Sequence, residues 1–410
     1  MAERQPDALV VRLHGRRIGM INRLAGDRYL FAFDQAYVDD ANRPTLSLSF
    51  KAASGGLLTH VRPYNVRLPP FFANLLPEGH LREYLAARAG VKPNRDFFLL
   101  ATLAADLPGA ISAVPADAEA VDHRDDDRVG AERDRHVLHP LRFSLAGVQL
   151  KFSAVMEASG GLTIPADGIG GSWIVKLPSA RFEAVPENEF AMMELARKIG
   201  IPVPETKLVP ISKIEGLPAD AGTMQGNALA VRRFDRTPDG GRIHMEDFAQ
   251  VFAVYPDDKY DRRSYANIAQ VLSAEAGGEA VVDFTRRLVF SVLIGNSDMH
   301  LKNWSLLYHD RHSASLAPAY DYVSTIAYLP DDRLALGFGG SKDISSISQD
   351  QIRRFADAAR LAVSPLWRIV QETSEKTASA WKSLGEKDAI PSKLRKGIDA
   401  HIAAAAGSIR

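Results

Sequence analysis

Hydrophobic residues change their spacing several times along the chain. Between residues 8 and 50 they fall in short alternating runs, "ALVVRLHG", "RRIGMI", "RYLFAF" and "TLSLSF". A period of two sends successive side chains to opposite faces, so these runs predict strands, with His14-Gly15 suited to a hairpin turn. The spacing then lengthens toward 3.6 in "PPFFANLLPEGHLREYLAAR" and "NRDFFLLATLAA", which predicts helices. The segment "ADAEAVDHRDDDRVGAERDRH" is charged and nearly free of large apolar residues, the mark of an exposed linker near residues 115–137. From Leu138 to Arg236 strands dominate again, broken by one helix, "ENEFAMMELARKIG", which Gly200 and Pro202 bring to a stop. After it, "HMEDFAQVFAV", "YANIAQVLSAEAG", "VVDFTRRLVFSVLIG", "DQIRRFADAARL", "PLWRIVQETSEKTASAWKSL" and "KLRKGIDAHIAAAA" all carry helical spacing.

This order predicts an α+β chain with two lobes, a strand-rich N-terminal part and an all-helical C-terminal lobe. It divides into a strand-rich module over 1–115, a charged linker over 116–137, a second strand-rich unit over 138–236 and a helical lobe over 237–410. With 410 residues, 46% of them hydrophobic, there is ample material for packed cores. The 50 basic and 50 acidic residues cancel, which gives no bulk electrostatic reason for direct binding to nucleic acid or an anionic membrane. The absence of cysteine excludes disulfides, thiolate chemistry and thiolate zinc sites. No run reaches membrane-spanning length, and the first apolar stretch is cut by Arg12, His14, Arg16 and Arg17, so a cytoplasmic protein is expected.

The candidate chemistry centres on "LIGNSDMHLKNWSLLY", where Asp298, His300, Lys302 and Asn303 interrupt an apolar segment. Polar groups that leave water need partners. Asp298 and Asn303 are spaced as D-x-x-x-x-N, and Asp321 follows in "APAYDYVST". Phosphoryl-transfer enzymes use this order: one aspartate takes the proton of the attacking hydroxyl, while an asparagine and a second aspartate hold magnesium. Taken singly, Asp298 suits a helix cap and Asp321 a turn. A zinc reading of His300 lacks partners at ligand spacing.

Upstream, "GGSWIVKLPS" sets Lys176 in an apolar strand, either as a snorkelling edge lysine or as the strand lysine that pairs with ATP phosphates. Glu189, in the helix that follows, could pair with Lys176, or could simply favour the helix start. The loop "FSLAGVQLKFS" has Ser144, Ala146 and Gly147, small residues that let backbone amides approach an oxyanion. "ALAVRRFDR" lies where strands give way to helices, the place of an adenine-reading hinge. Each piece is weak alone, and their shared order points to a kinase.

These segments together resemble the HipA family, kinase toxins of bacterial toxin–antitoxin pairs, over nearly the whole chain. The resemblance rests on "FFANLLPEGHLREYLA", "SLAGVQLKFS", "IVKLP", "NEFAMMELARKIGI", "LAVRRFDR", "MEDFAQVF", "IGNSDMHLKNWSL" and "LAPAYDYVS". It implies a two-lobed protein-kinase-like fold, similar also to lipid kinases, and a serine/threonine protein kinase that uses ATP and Mg2+. By position, Asp298 would be the catalytic base, and Asn303 and Asp321 would hold magnesium. Lys176 would contact phosphates, Arg232, Arg233 and Phe234 would contact adenine through their backbone, and His300 and Lys302 would complete the nucleotide site. Ser144 falls on the loop serine whose autophosphorylation switches the kinase off. The implied substrate is an aminoacyl-tRNA synthetase, whose phosphorylation stalls translation and arrests growth. The implied partner is a HipB-like helix-turn-helix antitoxin, which carries the complex to operator DNA. Arg232 stands where the family often has an acidic residue, and Leu150 where the loop often has Glu or Pro. A small-molecule kinase and a non-catalytic antitoxin-binding co-repressor are the alternatives.

Overall fold

The alternating runs at the start of the chain form strands β1 (Ala8–Leu13), β2 (Arg16–Leu24) and β3 (Arg28–Phe33). With β4 (Tyr64–Asn65) and β5 (Ile111–Pro115) they make an antiparallel sheet ordered β4-β3-β2-β1-β5. Leu13 faces Arg16 across the first hairpin, and both loop residues, His14 and Gly15, take positive φ (51° and 76°). A two-residue turn that matches the twist of its strands demands that conformation. The structure, a computed structural model, describes residues 6–103, 106–117, 151–157, 161–164, 171–179, 181–217 and 224–409.

Two expectations for this region change. "TLSLSF" is not a strand: Leu48–Phe50 is a 3-10 turn whose preceding Ser47 hydroxyl accepts from the Ser49 amide. Serine side chains that bond nearby amides compete with a sheet ladder. The long predicted helix after it divides into Pro70–Ala73 and Gly79–Arg88, with Pro77 between them.

The second sheet is ordered β10-β7-β6-β8-β11-β9, from β6 (Lys151–Met156), β7 (Leu162–Thr163), β8 (Trp173–Lys176), β9 (Thr206–Pro210), β10 (Ile214–Glu215) and β11 (Asn227–Arg232). One apolar core runs through both sheets and joins Phe31, Phe72 and Phe97 to Phe152, Val175 and Ala230. The helix Val185–Lys198 belongs instead to the core of the helical lobe, with Met192 and Leu195 packed among its side chains.

That lobe is predominantly helical but not all-helical. It carries a three-stranded sheet, β12 (His244–Asp247), β13 (Ser305–Tyr308) and β14 (Ser315–Leu316), in that order. Every residue of β13 is buried, so "SLLY" has no alternation to betray a strand. Among the described residues, no helix is long and apolar enough to cross a membrane.

Buried polar bonds fasten the first unit to the helical lobe and to the second strand-rich unit. Glu246 on β12 accepts from the Ser47 hydroxyl, the Leu48 amide and the Tyr308 hydroxyl. Arg233 pairs with Asp106 and Asp235, and Arg236 pairs with the same two carboxylates. Asn74 donates to the Val254 carbonyl and Gln250 to that of Phe71.

Candidate active site

The helix Gly278–Leu293 is amphipathic, with its apolar face in the lobe core, and it ends at Gly295 in the left-handed conformation (φ 67°). A Cβ at Gly295 would stand 2.4 Å from the Ile326 side chain, so this turn accepts only glycine. The chain leaves the helix here and enters the polar island. Asn296 is almost fully buried and links its two ends: its carbonyl accepts from the Asp298 amide (3.1 Å) and its amino group donates to the Asp321 carbonyl (3.2 Å). Asn303 donates to the Asp298 carbonyl (2.8 Å), which leaves its own side-chain oxygen as the atom able to meet a cation. Asp298 and Asn303 are thus held on one tight loop, and Asp321 is tied to the same loop through Asn296.

Asp321 itself takes a left-handed backbone (φ 57°). Such strain in a non-glycine residue persists only where the surroundings impose it. Its carboxylate meets Lys176, and Lys151 lies 3.6 Å away. Lys176 also pairs with Glu189, so one ammonium bridges two carboxylates. Lys176 is 5% exposed and Glu189 2%. Burial disfavours ionisation of Asp321, but Lys151 and Lys176 outweigh it and hold the carboxyl well below its usual range. Burial has the upper hand at Glu189 and raises it. The order of the sheet explains the cluster: Lys151 on β6 stands opposite Lys176 on β8, so two lysines converge on one side. Two ammonium groups facing carboxylates in a partly buried site suit a bound polyphosphate.

Asp298 presents its carboxylate at the surface of this loop, with one oxygen accepting from the Tyr260 hydroxyl at 2.7 Å. The crowd of surrounding protein pushes its carboxyl up, and the Tyr260 bond opposes that push. His300 is buried, its pKa lowered to about 3 by burial, so the imidazole is neutral; among the described residues its Nδ1 has no partner. A buried nitrogen of this kind, two residues from Asp298, suits a ligand group.

Other expected residues stand differently. Lys302 stands apart from the Lys176–Asp321 cluster: its ammonium bonds the Asn74 carbonyl (3.0 Å) and Glu78 (2.7 Å), both from the first unit. The Arg232 and Arg233 amides donate to the Glu205 and Ser172 carbonyls. The Arg233 guanidinium is buried in the carboxylate network described above. Phe234 packs against Tyr320, the residue before Asp321, with ring centroids 5.5 Å apart. Ser144, Ala146 and Gly147 lie outside the described residues. Lys151, Asn296 and Tyr260 were not singled out by sequence reasoning. Only Lys151 left a trace, as a lysine between Leu150 and Phe152 in a strand-like run.

Among the described residues, no cluster of three or more His, Asp or Glu side chains could hold a metal by itself. Magnesium does not need one, since it takes one or two protein oxygens and completes its shell with water and phosphate. The Asp321 carboxylate and the Asn303 carboxamide are hard oxygen donors of that kind, so the donor set fits Mg2+ presented with ATP.

Comparison with known proteins bears on this arrangement. A family model for the HipA-like C-terminal domain matches residues 143–381, and one for the HipA N-terminal domain matches residues 9–114. The chain is 50% identical over 396 residues to a Sinorhizobium fredii protein named "Putative kinase Y4dM", covering 96% of each. It is 27% identical to the serine/threonine-protein kinase toxin HipA of Shewanella oneidensis, over 88% of this chain and 86% of that one. The solved complex of Shewanella oneidensis HipA, HipB and operator DNA contains a chain that superposes with a TM-score of 0.73. That match covers 98% of both chains at 23% identity, where the likeness speaks to the fold.

Proposed function

Since the chain belongs to the HipA family, we propose that it is a serine/threonine protein kinase that transfers the γ-phosphoryl group of ATP to a protein hydroxyl. The observation that carries this reading is the convergence of Lys176, Glu189 and Asp321, tied through Asn296 to the loop of Asp298 and Asn303. In this reading Asn303 and Asp321 hold Mg2+, which neutralises phosphate charge when bound. Lys176 and Lys151 orient the phosphates, and Asp298 accepts the proton of the acceptor hydroxyl as its oxygen bonds to phosphorus and ADP leaves. The carbonyls of Arg232, Arg233 and Phe234 face the adenine, and the neutral imidazole of His300 lies beside the phosphates.

The family supports a toxin role in a toxin–antitoxin pair. We take the substrate to be an aminoacyl-tRNA synthetase, the consequence to be blocked translation and growth arrest, and the site of action to be the cytoplasm. A HipB-like helix-turn-helix antitoxin is the expected partner, and it would bridge the complex to operator DNA. A net charge of +0 suits that division of labour. Autophosphorylation on Ser144 is the expected means of self-inactivation.

Incubation with Mg2+ and γ-labelled ATP, in the presence of a panel of synthetases, tests this reading. Label on the protein itself and on one synthetase, mapped to serine or threonine, is the expected result. Label on a metabolite alone favours a small-molecule kinase, and no transfer at all favours a co-repressor scaffold.

A further inference from the structure

Among the described residues, the side chain of Asp298 has one anchor. Its backbone is fixed by Asn296 and Asn303, but its carboxylate is held at a single oxygen, by the Tyr260 hydroxyl at 2.7 Å. Asp298 is otherwise exposed. Tyr260 is 40% exposed and belongs to a different segment, the loop after the 3-10 turn Pro256–Asp258. Two further contacts fix that loop against the island, and a third braces it internally. The Leu301 amide donates to the Lys259 carbonyl (3.3 Å), the Tyr260 ring meets His300 edge-on at 5.0 Å, and the Lys259 ammonium lies 5.4 Å from the Tyr260 ring centre. Lys259 is in turn held by Glu78 at 2.6 Å, and the second oxygen of Glu78 takes Lys302 at 2.7 Å. Glu78 comes from the first unit, at the start of the helix Gly79–Arg88.

We infer that Tyr260 is a positioning residue for Asp298, braced from the first unit through Glu78 and Lys259. The inference rests on the kinase reading above and deepens it. By occupying one carboxylate oxygen, Tyr260 fixes the rotamer and leaves the other oxygen toward the acceptor hydroxyl. An unanchored, solvent-exposed carboxylate samples several rotamers, and only one serves the reaction. The brace gives the first unit a direct mechanical stake in the catalytic loop: Glu78 neutralises two lysines, one on each side of the Tyr260–His300 contact.

The test is Tyr260→Phe, which keeps the ring and its contact with His300 and removes one hydroxyl. Self-labelling of the full chain is followed with Mg2+ and γ-labelled ATP over a range of ATP concentrations. Expected is a maximal rate lower by about ten- to a hundredfold, the size of a lost hydrogen bond to a charged group, with the half-saturating ATP concentration and the melting temperature unchanged. Glu78→Gln should act in the same direction, and the double variant should be no slower than Tyr260→Phe alone. A wild-type rate in Tyr260→Phe, or strictly additive losses, overturns the inference while leaving the kinase reading intact. A second readout needs no activity: 3-fluorotyrosine at position 260, observed by 19F NMR without nucleotide. Its resonance should move in Asp298→Asn and in Glu78→Gln. If wild type transfers no label, the kinase reading falls and the positioning role falls with it; where wild type does transfer label, an unmoved resonance overturns the inference alone.

Discussion

Replacing Lys176 by methionine keeps most of the side-chain volume and removes one ammonium from between two carboxylates. Glu189, 2% exposed, then faces Asp321 with no cation between them, while Lys151 stays 3.6 Å from Asp321. Breaking a buried ion pair from one side costs about 3–5 kcal/mol. Here a ceiling can be set independently, because the variant can always protonate Glu189, whose ordinary value is 4.5. One unit of pH corresponds to about 1.4 kcal/mol, so that escape costs about 5 kcal/mol at pH 8 and under about 1 kcal/mol at pH 5. Glu189 is already raised in the folded wild type by burial, and losing Lys176 raises it further. A carboxyl held above its unfolded value loses stability as pH climbs from the unfolded toward the folded value, and the variant extends this window upward. Urea unfolding of both proteins at pH 5 and pH 8 is the assay. The variant should lose about 3–5 kcal/mol at pH 8 and most of that gap should close at pH 5. Equal midpoints at pH 8, or a gap that does not shrink in acid, would refute the reasoning.

Other positions give independent checks. Glu246 is raised to about 7 by burial, so its contribution to stability falls as pH rises from about 4.5 toward 7. Glu246→Gln should abolish that slope and melt higher than wild type at pH 8 by scanning fluorimetry; a lower melting temperature at pH 8 would count against it. Arg233→Met removes one of the two guanidinium groups that meet the buried Asp106 and Asp235, leaving them Arg236, with the Gly109 amide still donating to Asp235. It should cost about 3–5 kcal/mol in urea unfolding, and a fully stable variant would show that the network is not needed to hold the first unit in place.

How much of this was legible in the sequence differs by the range of the interaction. The spacing from Asp298 to Asn303 is local, and the loop that holds them follows from a glycine stop and an asparagine cap within a few residues. Lys176 stood out because a lone lysine in an apolar strand demands an explanation. Lys151 did not, because its role comes from register: it is placed opposite Lys176 by the pairing of β6 with β8. Tyr260 and Glu78 reach the Asp298–Asn303 loop from distant segments, and no local pattern marks such contacts. Lys302 shows the converse. The family resemblance put it in the nucleotide site, whereas tertiary packing presents Asn74 and Glu78 to its ammonium. The β13 strand escaped because full burial removes the alternation that identifies strands.

The account stands most directly on the role of Asp298. Asp298→Asn keeps the size of the side chain and its capacity to accept from Tyr260, while removing its ability to take a proton. Binding of Mg-ATP by calorimetry and label transfer from γ-labelled ATP should be measured on the same preparations. The prediction is unchanged nucleotide affinity with transfer lowered by at least about a hundredfold, in the range of a lost general base. Asp298→Asn protein that labels itself and its target at the wild-type rate would contradict it.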